Sequence, residues 1–329
     1  MKNGITRFEY FLNQLQILLD KSTKQKNPAL WLYRNNTRTP VFMLEALSKL
    51  YANIHNKKKF TKLKEHFKLL EDTLGAIDYY DSFSKEFTSN KKIPATISSY
   101  LQAQVREKIQ SLNEILKEKE WLDTQNGRIP KIKKKLNEAD WLNDKDEIQE
   151  INDFYGSAIY KIVEFARLSK FKFDNVEADV HELRRKLRWL SIYPQALRGC
   201  IQLSSTKKIP KHLTKYLTPA ITGSPYNIMP DAADNRHFLV LEKNYFYALS
   251  WTIAELGNLK DNGLRIIAIK EALQEINALK DNDAYKKAYQ LLGNKQPKLQ
   301  QLLDKAGIIC KTYFDEHNPE HLVIGTAAV

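Results

Sequence analysis

Cysteine is almost missing from this chain: Cys200 and Cys310 are the only two in 329 residues, far apart and without metal-ligand spacing. That argues against a disulfide framework and suits a reducing compartment. Glycine and proline are scarce too, at eleven each, and strand-like alternation is rare, so the chain reads as nearly all helical. No apolar run approaches the length that spans a bilayer. The N-terminal MKNGITRFEYFLNQLQILLD is interrupted by charges and amides, unlike a signal peptide. The expected setting is cytoplasmic. Acid is in deficit, with 39 Asp and Glu against 52 Lys and Arg. The net charge of +13 points to an anionic partner: nucleic acid, polyphosphate or an acidic membrane surface. Charge alone does not choose among them.

Catalytic constellations are lacking as well. No phosphate-cradling glycine loop, nucleophile elbow or Asp-x-Asp metal pair occurs. His317-Asn318-Pro319-Glu320-His321 formally matches an inverted zinc-protease motif, but Pro319 works against the single helical face that both histidines would need. His55, His66, His212 and His237 stand alone. Tyr79, Tyr80, Tyr245, Phe246, Tyr247 and Trp251 fall at core spacing, and no set of exposed aromatics among cations stands out as a stacking platform. The expectation is a binding protein rather than an enzyme, with no catalytic residue, metal or cofactor.

What is present is helical periodicity and aligned arginine. Ile5, Phe8, Phe11, Leu12, Leu15 and Leu19 predict a helix over 5–26, and similar spacing predicts helices near 40–54, 94–119, 145–169, 235–256, 281–292 and 297–307. The chain is organised around His181-Glu182-Leu183-Arg184-Arg185-Lys186-Leu187-Arg188-Trp189-Leu190. At about 100° per residue, His181, Arg184, Arg185 and Arg188 share one face, opposite Leu183, Leu187 and Leu190. Asp174 is a plausible N-cap for this helix, with Glu177 completing a capping box. Aligned guanidinium groups suit a ligand with many phosphates. The plain alternative is a solvated basic face.

His181, Arg184 and the run Arg185-Lys186-Leu187-Arg188-Trp189 together resemble the signature helix of the CHAD family, the conserved-histidine α-helical domain. The family pattern sets a tight Arg/Lys-Leu-Arg-aromatic cluster further from the histidine. Here it lies three residues too near, so either His181 and Arg184 or the later run is in register. A second likeness is the Leu74-Gly75 element with Asp78, matched by Leu256-Gly257 with Asp261, 182 residues further on. In the family such an element occurs once in each half, where one helix ends and the next begins.

The resemblance implies an all-α fold of two helical bundles, related by a pseudo-twofold and facing each other across a basic groove. The polar stretch 121–141 places the halves at 1–143 and 144–329. From Arg38 to Leu74 is 36 residues, but from Arg184 to Leu256 is 72, and the excess lies in an insertion at about 204–237. Its Lys207, Lys208, Lys211 and Lys215, with Gly, Pro and Asn, predict an irregular flap. The resemblance further implies non-enzymatic binding of inorganic polyphosphate, or a similar polyanion, by His181, Arg184, Arg185 and Arg188 with Arg34 and Arg38 opposite. His181 would add charge at mildly acidic pH or donate a hydrogen bond when neutral. Two rival functions remain: a nucleic-acid binder using the same cations, and a phosphotransfer enzyme, which would need an acidic metal cluster beside the arginines.

Overall fold

Apolar residues recur at helical spacing through most of the chain, and helix follows them. The computed structural model describes residues 3–123, 125–205, 208–232 and 235–328. Helix α1 (Asn3–Ser22) buries Ile5, Phe8, Leu12, Leu15 and Leu19. Asn27 caps the short α2 (Pro28–Arg34), its side chain accepting from the Leu30 amide. Then come α3 (Arg38–Ile54), α4 (Lys57–Ser89) and α5 (Ala95–Glu118). The polar connection at 121–141 is not all loop, because Ile129, Ile132 and Leu136 line up to bury one side of α6 (Arg128–Asn137). Helix α7 (Asp144–Leu168) starts behind Asn143, whose side chain accepts from the Asp146 amide.

The organising helix begins differently from expectation. Asn175, not Asp174, caps it, accepting from the amides of Glu177 and Ala178. A π-helical turn, Val176–His181, then leads into α8 (Glu182–Ala196). Pro194 sits inside the last turn, and the helix stops two residues later. Beyond it lie the four-residue α9 (Pro219–Thr222), then α10 (Lys243–Asn277), α11 (Asp281–Leu292) and α12 (Leu299–Asp315). Gly75 and Gly257 do not end helices. Helices α4 and α10 run through them, and neither glycine has the positive φ of a helix-ending cap.

The all-α expectation needs one correction: the chain is mostly helical but carries a small three-stranded sheet. Strands β1 (Ile201–Ser204), β2 (His237–Glu242) and β3 (Val323–Ala328) lie in the order β1-β2-β3, the first pair parallel and the second antiparallel. The helix expected over 235–256 begins only at Lys243, because the short apolar run Phe238-Leu239-Val240-Leu241, too brief for its periodicity to separate helix from strand, forms β2. The sheet also accounts for the insertion. Parallel neighbours cannot be joined by a tight turn and need a crossover of a dozen or more residues, and 204–237 is that crossover. It is more ordered than an irregular flap, with 3₁₀ turns at Lys211–Tyr216 and Pro225–Asn227 on either side of α9. Lys215 is tied to Glu316 after α12, and the Tyr216 hydroxyl donates to the same carboxylate at 2.6 Å. Lys207 lies outside the described residues.

One hydrophobic cluster, from Ile5 to Leu322, runs unbroken across the boundary at 143/144. A buried ion pair is set into it. Arg7 of α1 donates to Glu147 of α7, and the Tyr51 hydroxyl of α3 donates to the other Glu147 oxygen at 2.7 Å. Arg7 also donates to the Tyr51 hydroxyl at 2.9 Å. No helix among the described residues is long and apolar enough to cross a membrane. Because removing one member of a buried pair strands the other charge, Glu147→Leu should cost about 3–5 kcal/mol in urea denaturation. The double variant Arg7→Met with Glu147→Leu should recover most of that loss, and equal losses for single and double variants would refute the pairing.

Candidate polyanion-binding site

The site is built where α8 packs against α3 and α10. Leu183, Leu187 and Leu190 are buried as their spacing requires, which turns Arg184 and Arg188 toward those two helices rather than toward open solvent. The guanidinium of Arg184 lies flat on α10 at Gly257, where an added Cβ would stand 3.0 Å from Nε. Its Nε donates to the Ile253 carbonyl at 3.1 Å. Arg38, at the start of α3, does the same on α4. An added Cβ at Gly75 would stand 2.9 Å from its Nη2, and its Nε donates to Glu71 at 2.8 Å. The acceptor is the residue four before the glycine in both cases, a carboxylate at Glu71 and a backbone carbonyl at Ile253. Arg38 gains a second acid, Asp78, at 3.2 Å. At both positions the guanidinium stands where a side chain would, so a larger residue there would displace it.

That difference in acceptor sets the electrostatics. Arg38 is neutralised by Glu71 and Asp78, whereas Arg184 and Arg188 have no bonded carboxylate among the described residues. Arg188 sits over the Phe42 ring, 4.5 Å from its centroid. Burial pushes its pKa down to about 10, with the neighbouring Arg184 and Arg38 adding to the effect. Burial lowers Arg184 as well, against the pull of Asp261. Both remain cations at neutral pH.

The other expected residues divide. Arg185 is exposed and turned to Glu182, at 2.6 Å, and Lys186 shares that carboxylate. Arg34 is exposed at the end of α2 and makes no hydrogen bond or ion pair among the described residues. It does not join the cluster. His181 is half-buried near Lys260 with its Nδ1 unpartnered. Its pKa falls to about 4, first through burial and then through Lys260, Arg184 and Arg185, so it adds no charge at mildly acidic pH.

Several contributors were not legible beforehand. Phe42 and Trp189 stack between α3 and α8 with centroids 5.0 Å apart, and Lys49 lies 4.4 Å over the Trp189 ring. Burial lowers the Lys49 pKa to about 8, and burial followed by Glu71 raises that of buried Glu45 to about 7. Tyr226, on the crossover, is 80 % exposed, and its backbone carbonyl accepts from Gln195 of α8 at 3.4 Å. The signal for Lys49 was present as Glu45-x-x-x-Lys49 on the buried side of α3; nothing local marks Tyr226.

Among the described residues, no group of three His, Cys, Asp or Glu side chains is placed to hold a metal ion. His317 contacts Glu320, while His321 packs on the Tyr245 ring. No family model matches the chain, and neither a curated protein nor a solved structure is similar to it.

The depressed pKa of His181 has a measurable sign. The unfolded chain takes up a proton near pH 6.5 that the folded chain refuses until about 4, so stability falls as pH drops through that window. The raised Glu45 acts oppositely, so the comparison is between parent and His181→Gln. The variant should lose less stability than the parent between pH 6.5 and 4, and the His181 ring signals should stay at their neutral positions down to pH 5. An imidazole that titrates near 6.5 would contradict this placement.

Proposed function

We propose that this protein binds, without catalysis, a polyanion whose charge is carried by a chain of phosphates, inorganic polyphosphate being the first ligand to test. The observation that carries the reading is a concentration of half-buried positive charge with no bonded acid: Arg184 and Arg188, with Arg38 beside them. Such an arrangement holds unrelieved repulsion, and an anion that enters it is stabilised at once. Guanidinium forks give phosphate oxygens paired donors, and the Arg188–Phe42 contact fixes one fork in place. The role anticipated for Arg185 is peripheral in this reading, and Arg34 has none.

The reading includes a duplicated architecture, two helical halves facing each other across a groove. What supports it is the repeated unit of an arginine laid on a helix-internal glycine, with its Nε bonded to the residue four before that glycine. Counted from the two arginines, Phe42 and Arg188 are equivalent positions, each four residues on, and they touch. A meeting of equivalent positions is what an axis relating two copies would produce. The absence of a carboxylate at Ile253 then leaves the second of the two arginine contacts uncompensated.

The decisive experiment is a salt series. Arg184→Ala with Arg188→Ala should bind long-chain polyphosphate far more weakly than the parent, and its log–log salt slope should shrink by roughly one unit for each phosphate no longer neutralised. Leu187→Ala should do the reverse, costing about 2–5 kcal/mol of stability while the folded fraction binds normally. Unchanged affinity and slope in the double arginine variant would reduce α8 to a basic face with no ligand.

Gly257→Ala offers a gentler probe. A mid-helix glycine is about 1 kcal/mol worse than alanine, so the new methyl and the displaced guanidinium roughly offset that gain. Thermal stability should stay near the parent's while polyphosphate affinity drops. If affinity holds with Arg184 displaced, the seating of that guanidinium does not matter.

A further inference from the structure

Resting on the reading that Arg184 and Arg188 hold a phosphate chain, the geometry points to which chain: we propose that the ligand carries unpaired nucleobases, a single-stranded nucleic acid, and that Tyr226 stacks on one of them beside Arg188. Arg184, Arg188 and Gln195 stand four and eleven residues apart on α8, which places all three within about 40° of one another around the helix. Gln195 is where the crossover is fastened to that face. Its Nε2 donates to the Ile228 carbonyl at 2.8 Å and to the Tyr226 carbonyl at 3.4 Å. The tip carrying Tyr226 is thus tied to α8 about two turns beyond Arg188 and three beyond Arg184.

The tip is also held from behind. Asn227 is buried, donating through Nδ2 to the Ile221 carbonyl at 2.8 Å and accepting from the Ser250 hydroxyl of α10 at 2.9 Å. Fixed neighbours on both sides leave Tyr226 on a defined backbone, yet its ring is 80 % exposed and Ile228 is 68 % exposed. Tyr193 and Tyr216 nearby in sequence are buried in the core. A large ring held over the same face of α8 as the two cations fits a ligand that alternates phosphate with a flat π-face. Every nucleobase offers such a face, and bare polyphosphate offers none. In a duplex the faces are covered by stacking, so the strand must be single.

The test uses the full chain and three ligands of matched charge: a short oligodeoxynucleotide, the same oligomer with abasic sites throughout, and inorganic polyphosphate. The parent should bind the base-bearing oligomer roughly ten-fold more tightly than the abasic one, about the factor carried by one stacked base. Tyr226→Ala should erase that preference with no change in salt slope or in polyphosphate affinity, and Tyr226→Phe should keep it. Equal binding of the two oligomers by the parent, or a preference that survives Tyr226→Ala, overturns the proposal, leaving Tyr226 as a contact for some other partner. The variant with Arg184 and Arg188 both changed to alanine separates the two readings. If it loses all three ligands but the parent has no base preference, the phosphate site stands and the stacking inference falls. If it binds all three as the parent does, the phosphate site itself is wrong.

Discussion

Two guanidinium groups lying on glycine are the constraint from which the geometry of the candidate site follows. An arginine that must lie flat against a helix needs a partner helix without a Cβ at the contact, a fixed crossing of the two helices, and an acceptor at a set distance along the axis. Arg38 on Gly75 fixes α3 against α4 in this way, and Arg184 on Gly257 fixes α8 against α10. Once both contacts are set, α3 and α8 are left to meet through Phe42 and Trp189, and Arg188 has nowhere to go but over the Phe42 ring. Burial on both sides then raises the electrostatic cost of that charge, which is visible in its lowered pKa.

The two contacts differ in one acceptor, and the difference divides the labour. Glu71 compensates Arg38, whereas the helix backbone at Ile253 offers Arg184 only a dipole. A carbonyl orients a guanidinium nearly as well as a carboxylate does, but it leaves the net charge in place. Orientation without neutralisation is the property on which the proposed anion site rests. It is also why the fold tolerates the arrangement: neither arginine is fully buried, so each reaches enough water to avoid the penalty of an isolated interior ion. The fully enclosed Arg7 has no such outlet and is met by Glu147 and Tyr51 instead.

Much of the helical framework was legible because burial and periodicity agree: Leu183, Leu187 and Leu190 set the orientation of α8, and Ile5 through Leu19 set that of α1. Arg184 and Arg188 were legible for the same reason. What failed depends on partners that spacing along one face does not show, some near in sequence and most distant. Helical spacing puts Arg185 with Arg184, but Glu182 one turn back draws it aside. Gly75 and Gly257 look like helix ends until the arginine that occupies each gap is known. Strand β2 exists because β1 and β3 flank it, and its four apolar residues carry no period of their own. Tyr226 is ordinary in sequence and becomes noticeable only when Gln195 and Asn227 pin the backbone on either side.

The parallel pairing of β1 and β2 has a consequence for how this chain can vary. A parallel pair needs a long connection, so the segment between them cannot be trimmed to a turn without unzipping the strands. Its two ends sit at opposite ends of the paired strands, about five residues or roughly 17 Å apart, and beyond that span added length costs little closure entropy, growing only with the logarithm of the loop. The crossover therefore has a floor on its size but hardly a ceiling. Sequence change can lengthen it, redecorate its tip and replace what it presents to α8 while both helical contacts stay as they are. A tether free to change on a fixed scaffold would let the surface beside the two arginines be altered without altering the fold.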